Sequence, residues 1–243
     1  MAQSLTNKFD KVEALVFDVF GTVVDWRGSI IRQGKNFSAR TGIDIDWPTM
    51  ADRWRAGYRP TMDKIASGEL PWIRFHDFNR DLLVDLVREF GIRGLKSRDL
   101  DEMNDFWRKL EPWPDVVRGL KRLKQRFVIG TLSNGDIRTM VDIAKHSGLP
   151  WDVVFSSENF RKFKPEAEVY LGAASLLGVK PDRIALVAAH KNDLRAARTN
   201  GLRTAFVERP KEHGPTRKTD LGPERYIDVM AKDFNELADQ FGL

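Results

Sequence analysis

Three short apolar runs in this chain each stop at residues able to do chemistry. Ala14 to Phe17 stops at Asp18, Phe127 to Leu132 at Ser133 and Asn134, and Ile184 to Ala189 at His190, with Asp193 close behind. A carboxylate can attack an electrophilic centre and carry it as an ester, dividing one hard displacement into two easier steps. A lysine beside that carboxylate holds it ionised, and Lys164 follows Phe163 on the same side of the sequence. An imidazole titrates near neutrality and can move a proton. A second carboxylate, Asp193, can hold a water. In open α/β sheets ligands bind beyond the carboxyl ends of the strands, so three polar strand ends predict one shared site. The structural alternatives are a strand-end cap for Asp18, a helix N-cap ahead of Leu194 for Asp193, and a buried, satisfied ring for His190.

The elements that must position these residues follow from the same runs. A continuous apolar run of four to six residues reads as a strand buried on both faces of a parallel sheet. Thr204 to Val207 makes a fourth. Helical spacing lies between them, with Val116, Val117, Leu120 and Leu123 in one segment and Val169, Ala173, Leu176 and Leu177 in another. Alternating strands and helices predict an α/β fold, a Rossmann-like doubly wound parallel sheet. The stretch from Trp26 to Leu110 has no clear strand. It predicts a helix opening near Trp47-Pro48 and interrupted near Pro60, an amphipathic helix from Asp77 to Phe90 stopped by Gly91, and another from Asp99 to Leu110. Glu111-Pro112-Trp113-Pro114 reads as a return linker. The expected organisation is a core of residues 1–25 and 111–243 with a helical cap domain, 26–110, inserted after the first strand.

Composition narrows the function classes. The 243 residues are 42% hydrophobic and 31% charged, ordinary for a globular protein with a sizeable core. There are 40 Lys and Arg against 35 Asp and Glu, a net charge of +5. The densest basic stretches, Arg118 to Arg126 and Glu208 to Lys218, are mixed with acids and read as solvated surface, so no nucleic acid is expected as a partner. There is no cysteine, which removes disulfides, thiol catalysis and thiolate metal sites. His76, His146 and His213 are scattered without metal-ligand spacing. The polar start of the chain and the lack of a long apolar run predict a cytoplasmic protein with no membrane contact.

Phe17-Asp18-Val19-Phe20-Gly21-Thr22 resembles the first motif of the haloacid dehalogenase superfamily. Thr131-Leu132-Ser133-Asn134-Gly135 resembles the second, Lys164-Pro165 the third, and the strand before Asp193 the fourth. The superfamily's first motif usually reads Asp-x-Asp, and here Phe20 stands at its second position. Phenylalanine cannot transfer a proton. An aromatic there is similar to the L-2-haloacid dehalogenase branch, whose halide leaves without protonation. Within that branch Tyr170 falls at the expected spacing after Lys164-Pro165, and Trp54-Arg55 resembles the cap pair whose arginine faces the halide. Ala188 and His190 stand where those enzymes usually have Ser and Asn, and Asn192 where an aromatic is frequent.

The resemblance implies that Asp18 displaces the halide in line and that water then attacks the aspartyl ester. Arg55 and Asn134 receive the halide, with nearby Arg59 the competing arginine. Ser133 and backbone N–H groups near Gly135 bind the substrate carboxylate. Lys164 keeps Asp18 ionised, Thr22 orients it, Tyr170 braces Asp193 or Lys164, and Asp193, helped by His190, handles the water. Val19, Phe20, Trp54 and Tyr58 are expected to line the substrate pocket, although Trp54 and Tyr58 equally suit packing inside the cap. The expected substrate is a small halogenated carboxylic acid, with no metal or other cofactor, and the cap helices equally suit a homodimer. The runner-up is a Mg-dependent phosphatase or phosphonate hydrolase with His190 as substitute acid. A non-catalytic binding protein on this fold is the third reading.

Overall fold

The computed structural model describes residues 9–215 and 221–243. The first eight residues of the polar N-terminal stretch, and the end of the charged run from Glu208 to Lys218, lie outside the described residues. Among the described residues six parallel strands form one sheet: β1 (Ala14–Phe17), β2 (Val128–Ser133), β3 (Val153–Ser156), β4 (Ile184–Ala188), β5 (Arg203–Val207) and β6 (Val229–Ala231). Their spatial order is β3-β2-β1-β4-β5-β6. The order reverses on either side of β1, which places a crevice at the carboxyl ends of β2, β1 and β4.

The alternation of side chains explains why β1 is apolar throughout. Leu15 and Phe17 enter one core, shared with Val116, Leu120, Phe234 and Leu237, while Ala14 and Val16 enter a second with Tyr170, Ala173, Leu194 and Ala197. A strand covered on both faces has no polar side to show.

Between β1 and β2 the chain is helical, through α1 (Trp26–Thr41), α2 (Trp47–Ala66), α3 (Phe75–Glu89), α4 (Ser97–Asn104) and a 3₁₀ turn, Asp105–Arg108. Asp25 and Asp46 cap α1 and α2 by accepting from the N–H groups of Gly28 and Thr49. Pro60 does not interrupt α2, contrary to the sequence expectation. The buried stripe Met50, Ala51, Trp54, Tyr58 and Met62 holds the helix against its neighbours, and Pro60 lies on its exposed side. Trp26, Trp47, Trp54 and Trp107 are all fully buried here.

The remaining helices are α5 (Val116–Leu123), α6 (Ile137–Ser147), α7 (Ser157–Phe160), α8 (Ala167–Leu176), α9 (Lys191–Thr199) and α10 (Phe234–Gln240). Two anchors bear on the site. Asp136 caps α6 at the N–H of Thr139 and also accepts from the His76 N–H, 3.0 Å away, tying the helical insertion to the sheet. Arg209 is 5% exposed; its guanidinium pairs with both oxygens of Asp115 at 3.0 and 2.9 Å and its Nε donates to the Thr22 carbonyl at 2.8 Å. Removing one partner of such a buried pair leaves an uncompensated charge. Arg209→Met is therefore expected to lower unfolding stability by about 3–5 kcal/mol, read from the urea midpoint.

Candidate active site

The register of the central strands brings the polar strand ends together. Phe17 lies opposite Thr131 of β2 and Val187 of β4, so Asp18, Ser133-Asn134 and His190 leave the sheet at one edge. Asp18 is 7% exposed and every oxygen of its carboxylate is engaged. Oδ1 accepts from Lys164 Nζ at 2.8 Å. Oδ2 accepts from the Thr22 hydroxyl at 2.7 Å and faces His190 Nδ1 at 2.9 Å. The Thr22 hydroxyl in turn accepts from the Ala189 N–H at 2.9 Å, which fixes its direction. Lys164 Nζ also donates to Asp193 Oδ2, and Tyr170 donates to Asp193 Oδ1 at 2.6 Å. One ammonium thus bridges two buried carboxylates. Asp193 sits in the first turn of α9, where His190 is the N-cap.

These contacts set the charges. Burial opposes ionisation of Asp18, but the Lys164 charge and the His190 hydrogen bond outweigh it and hold the carboxyl far below its usual range. Burial likewise works against the Lys164 cation, and the two carboxylates overcome it, raising its pKa. Asp193 moves the other way: burial raises its pKa, Lys164 counters this and the Asp18 charge adds to it. The ground state is an ionised nucleophile beside a fixed cation.

A cavity of about 240 Å³ opens above this carboxylate, and Arg55, Tyr58, Arg59, Met62 and Asn134 are among its walls. Asn134 is oriented without ambiguity, because its Oδ1 accepts from the Ser157 hydroxyl at 2.7 Å and the Lys164 N–H at 2.8 Å. Its amide NH₂ therefore turns to the cavity side, near Met62 Sδ at 3.4 Å. The Arg55 guanidinium lies 4.4 Å over the Tyr58 ring. Its Nε and the Tyr58 hydroxyl are buried and without a hydrogen-bond partner among the described residues. Arg59 instead pairs with Asp63 at 2.7 Å, and both are more than half exposed. A buried donor without a partner is uncommon, and a bound water or ion is one of the ways such a donor is satisfied.

Residues 12–201 match the family of haloacid dehalogenase-like hydrolases. The chain belongs to that family. A crystal structure of an L-2-haloacid dehalogenase is 41% identical, with TM-score 0.92 over 95% of this chain and 99% of that one. A crystal structure of a defluorinating L-2-haloacid dehalogenase is 44% identical, with TM-score 0.92 over 96% of both chains. (S)-2-haloacid dehalogenase 4A of Burkholderia cepacia is 25% identical over 246 residues, 94% of this chain and 99% of that one.

In this hydrolase four expected pocket residues stand elsewhere. Trp54 is wholly buried, donates to the Asn79 carbonyl at 2.9 Å and packs edge-on against Trp107. It is part of the helical core, because the indole N–H finds its acceptor inside the insertion. Val19 and Phe20 are buried behind the cavity, with Phe20 in contact with Phe75 and Trp107 and edge-on to Tyr58. Ser133 is also buried, its hydroxyl accepting from the Gly135 N–H at 3.2 Å. Gly135 is closely packed, since a Cβ there would lie 2.6 Å from Met140 Cε and 3.0 Å from the Phe20 ring.

Met62 in the cavity wall and Glu212 have no part in the sequence reading, and Asn192 and Pro165, which enter it only as motif positions, also line the cavity. Glu212 is 1% exposed and faces His190 Nε2 at 3.0 Å through both carboxylate oxygens. It sits in an irregular loop inside a run of charges that reads as solvated surface, so no local pattern singles it out.

Proposed function

We propose that this hydrolase converts short L-2-haloalkanoic acids into 2-hydroxy acids through an aspartyl ester on Asp18, without a metal. The observation that carries the reading is the pairing of an ionised Asp18 with unsatisfied donors, Arg55 Nε and the Tyr58 hydroxyl, in one small cavity. Asp18 attacks the carbon that bears the halogen from the side opposite the leaving group, so the configuration inverts. The departing halide is received by Arg55, Tyr58 and the Asn134 amide, donors set in place before charge develops. Water then attacks the Asp18 carbonyl carbon, positioned by Asp193, while Lys164 stays on the carbonyl oxygen. Thr22 orients the nucleophile and Tyr170 braces Asp193. The helical insertion acts as a cap that supplies Arg55 and Tyr58. The reaction takes place in the cytoplasm.

Phosphate-ester hydrolysis is not favoured. Phe20 offers no proton to a leaving alcohol, and His190 is committed on both ring nitrogens to carboxylates. The test is release of chloride from L-2-chloropropionate with a chelator present, set against the D-enantiomer and against a phosphate ester with Mg²⁺. Chloride from the L-acid alone supports the proposal, and phosphate release without chloride would overturn it. L-2-fluoropropionate belongs in the same assay, because one relative is named as defluorinating.

Arg55→Leu is expected to lower kcat by about 10²–10³-fold, as the loss of one preorganised donor to a developing anion does. Arg59→Leu, whose guanidinium is exposed and already paired, is expected to change kcat by no more than about threefold. Steady-state kinetics on both variants checks the assignment, and equal losses would refute it.

A further inference from the structure

His190 stands between two carboxylates. Its Nδ1 is 2.9 Å from Asp18 Oδ2, and its Nε2 is 3.0 Å from each oxygen of Glu212. Carboxylates only accept, so both ring nitrogens must donate, and the imidazolium is the form that satisfies both. Glu212 is placed with care. Its Oε1 also accepts from the Trp26 indole at 3.1 Å. Gly21, at φ +91°, lets it approach, since a Cβ there would lie 2.1 Å from Oε1. Arg209 anchors the loop, and the Glu212 N–H donates to the Arg209 carbonyl at 3.2 Å.

We propose that Glu212 is a positioning residue that acts through His190, making the ring a cation that braces Asp18 before displacement and a base for the hydrolytic water afterwards. This rests on the aspartyl-ester reading above. The other charged groups around the ring are Lys164, on the opposite oxygen of Asp18, Asp193 beyond it, His213 at 3.7 Å from Glu212, and the neighbouring Lys191, 3.9 Å from Glu224. Burial lowers the proton affinity of His190, but the Glu212 charge and the bonds to Asp18 and Glu212 raise its pKa to about 10. Both oxygens of Asp193 already accept, from Tyr170 and Lys164, so Asp193 orients the water while His190 takes its proton.

Displacement forms the bond from an Asp18 oxygen to the substrate carbon, and the halide leaves with the electron pair. Asp18 is then neutral and His190 loses one of its two anionic partners. Its Nδ1 proton passes to solvent, to which the side chain is 24% exposed. Water attacks the Asp18 carbonyl carbon and gives one proton to Nδ1 while Nε2–H remains on Glu212. The tetrahedral intermediate collapses with cleavage of the bond to the product oxygen, which takes that proton from Nδ1. The water's second proton, left on the regenerated Asp18 carboxyl, returns to Nδ1 and restores the imidazolium–carboxylate pair. The sum is one halide, one 2-hydroxy acid and one proton.

The test joins a titration that needs no substrate to a single-turnover experiment. Imidazole ¹⁵N shifts are followed against pH in the wild type, Glu212→Gln and Asp18→Asn. The wild-type His190 is expected to stay cationic through pH 8, and each variant to titrate at least about one pH unit lower. An unmoved titration in Glu212→Gln overturns the proposal. With L-2-chloropropionate, Glu212→Gln is expected to release its first equivalent of chloride within about threefold of the wild-type rate. It is then expected to hydrolyse the ester about 10²-fold more slowly, with the adduct visible by intact mass. In a His190→Asn background the Glu212→Gln change is expected to cost nothing further. Equal slowing of both steps, or an undiminished Glu212 effect without His190, overturns the relay. Wild-type enzyme that releases no halide from any haloacid, with a His190 titration that still follows Glu212, would sink the dehalogenation reading and leave the dyad standing.

Discussion

Asp18→Asn is expected to abolish steady-state halide release, lowering kcat by at least about 10⁴-fold while the protein remains folded. The amide preserves shape but removes the nucleophilic charge that Lys164, Thr22 and His190 are arranged to hold. Among the described residues the other carboxylate in the cavity wall is Asp193, which stands across the Lys164 ammonium from position 18 and is braced there by Tyr170. Halide assay and circular dichroism on the same preparation check the expectation. A variant that still releases halide at a tenth of the wild-type rate would mean that water attacks the substrate directly.

Lys164→Met is expected to lower kcat by about 10³-fold and unfolding stability by about 3–5 kcal/mol at pH 8. Lys164 lies within the core, 7% exposed at the side chain, and its ammonium is the shared partner of carboxylates that are 11% and 8% exposed. Without it two like charges face each other in a poorly hydrated site, and one must take up a proton. The pH dependence has a definite sign. In the wild type the lysine's pKa is raised, so its contribution is fully present below its unfolded value and is lost only as pH rises through the higher folded value. The lowered Asp18 pKa contributes above the unfolded carboxyl range and is lost only in strong acid. The variant reverses this second trend. Its carboxyl pair binds a proton more readily folded than unfolded, so stability is expected to recover as pH falls from 8 towards 5. Urea midpoints across that range decide it, and a flat profile would mean that the carboxylates relax into solvent.

The sequence carried the central part of the sheet. Ala14 to Phe17 and Ile184 to Ala189 are apolar because both faces are covered, and that pattern needs no knowledge of neighbours. β3 and β6 carry no such signal, because each offers an apolar run of only three residues, Val153 to Phe155 and Val229 to Ala231. Pro60 weighs less on α2 than its local effect suggests. A proline costs a helix one donor locally, whereas the buried stripe of α2 acts along its whole length. Trp54 and Tyr58 lie one turn apart on the same stripe, yet one indole closes on Asn79 and one phenol borders the cavity. Periodicity places both on the buried face and says nothing of what that face meets.

What the sequence determined by itself is the chemistry of single positions: a carboxylate at 18, a lysine at 164, and a side chain at 20 that cannot move a proton. Those are properties of residue types, whatever element each stands on. The tertiary structure decided the pairings. It left Arg55 without a counter-ion among the described residues while giving Arg59 to Asp63, and it turned Phe20 and Trp54 inward. It also brought Glu212 from an irregular loop onto His190, 22 positions earlier, and against Gly21 and Trp26, the latter 186 positions earlier. Spacing along a helix or strand fixes which side chains share a face. Which faces meet depends on how the whole chain packs, and the proton path through His190 is built only at that level.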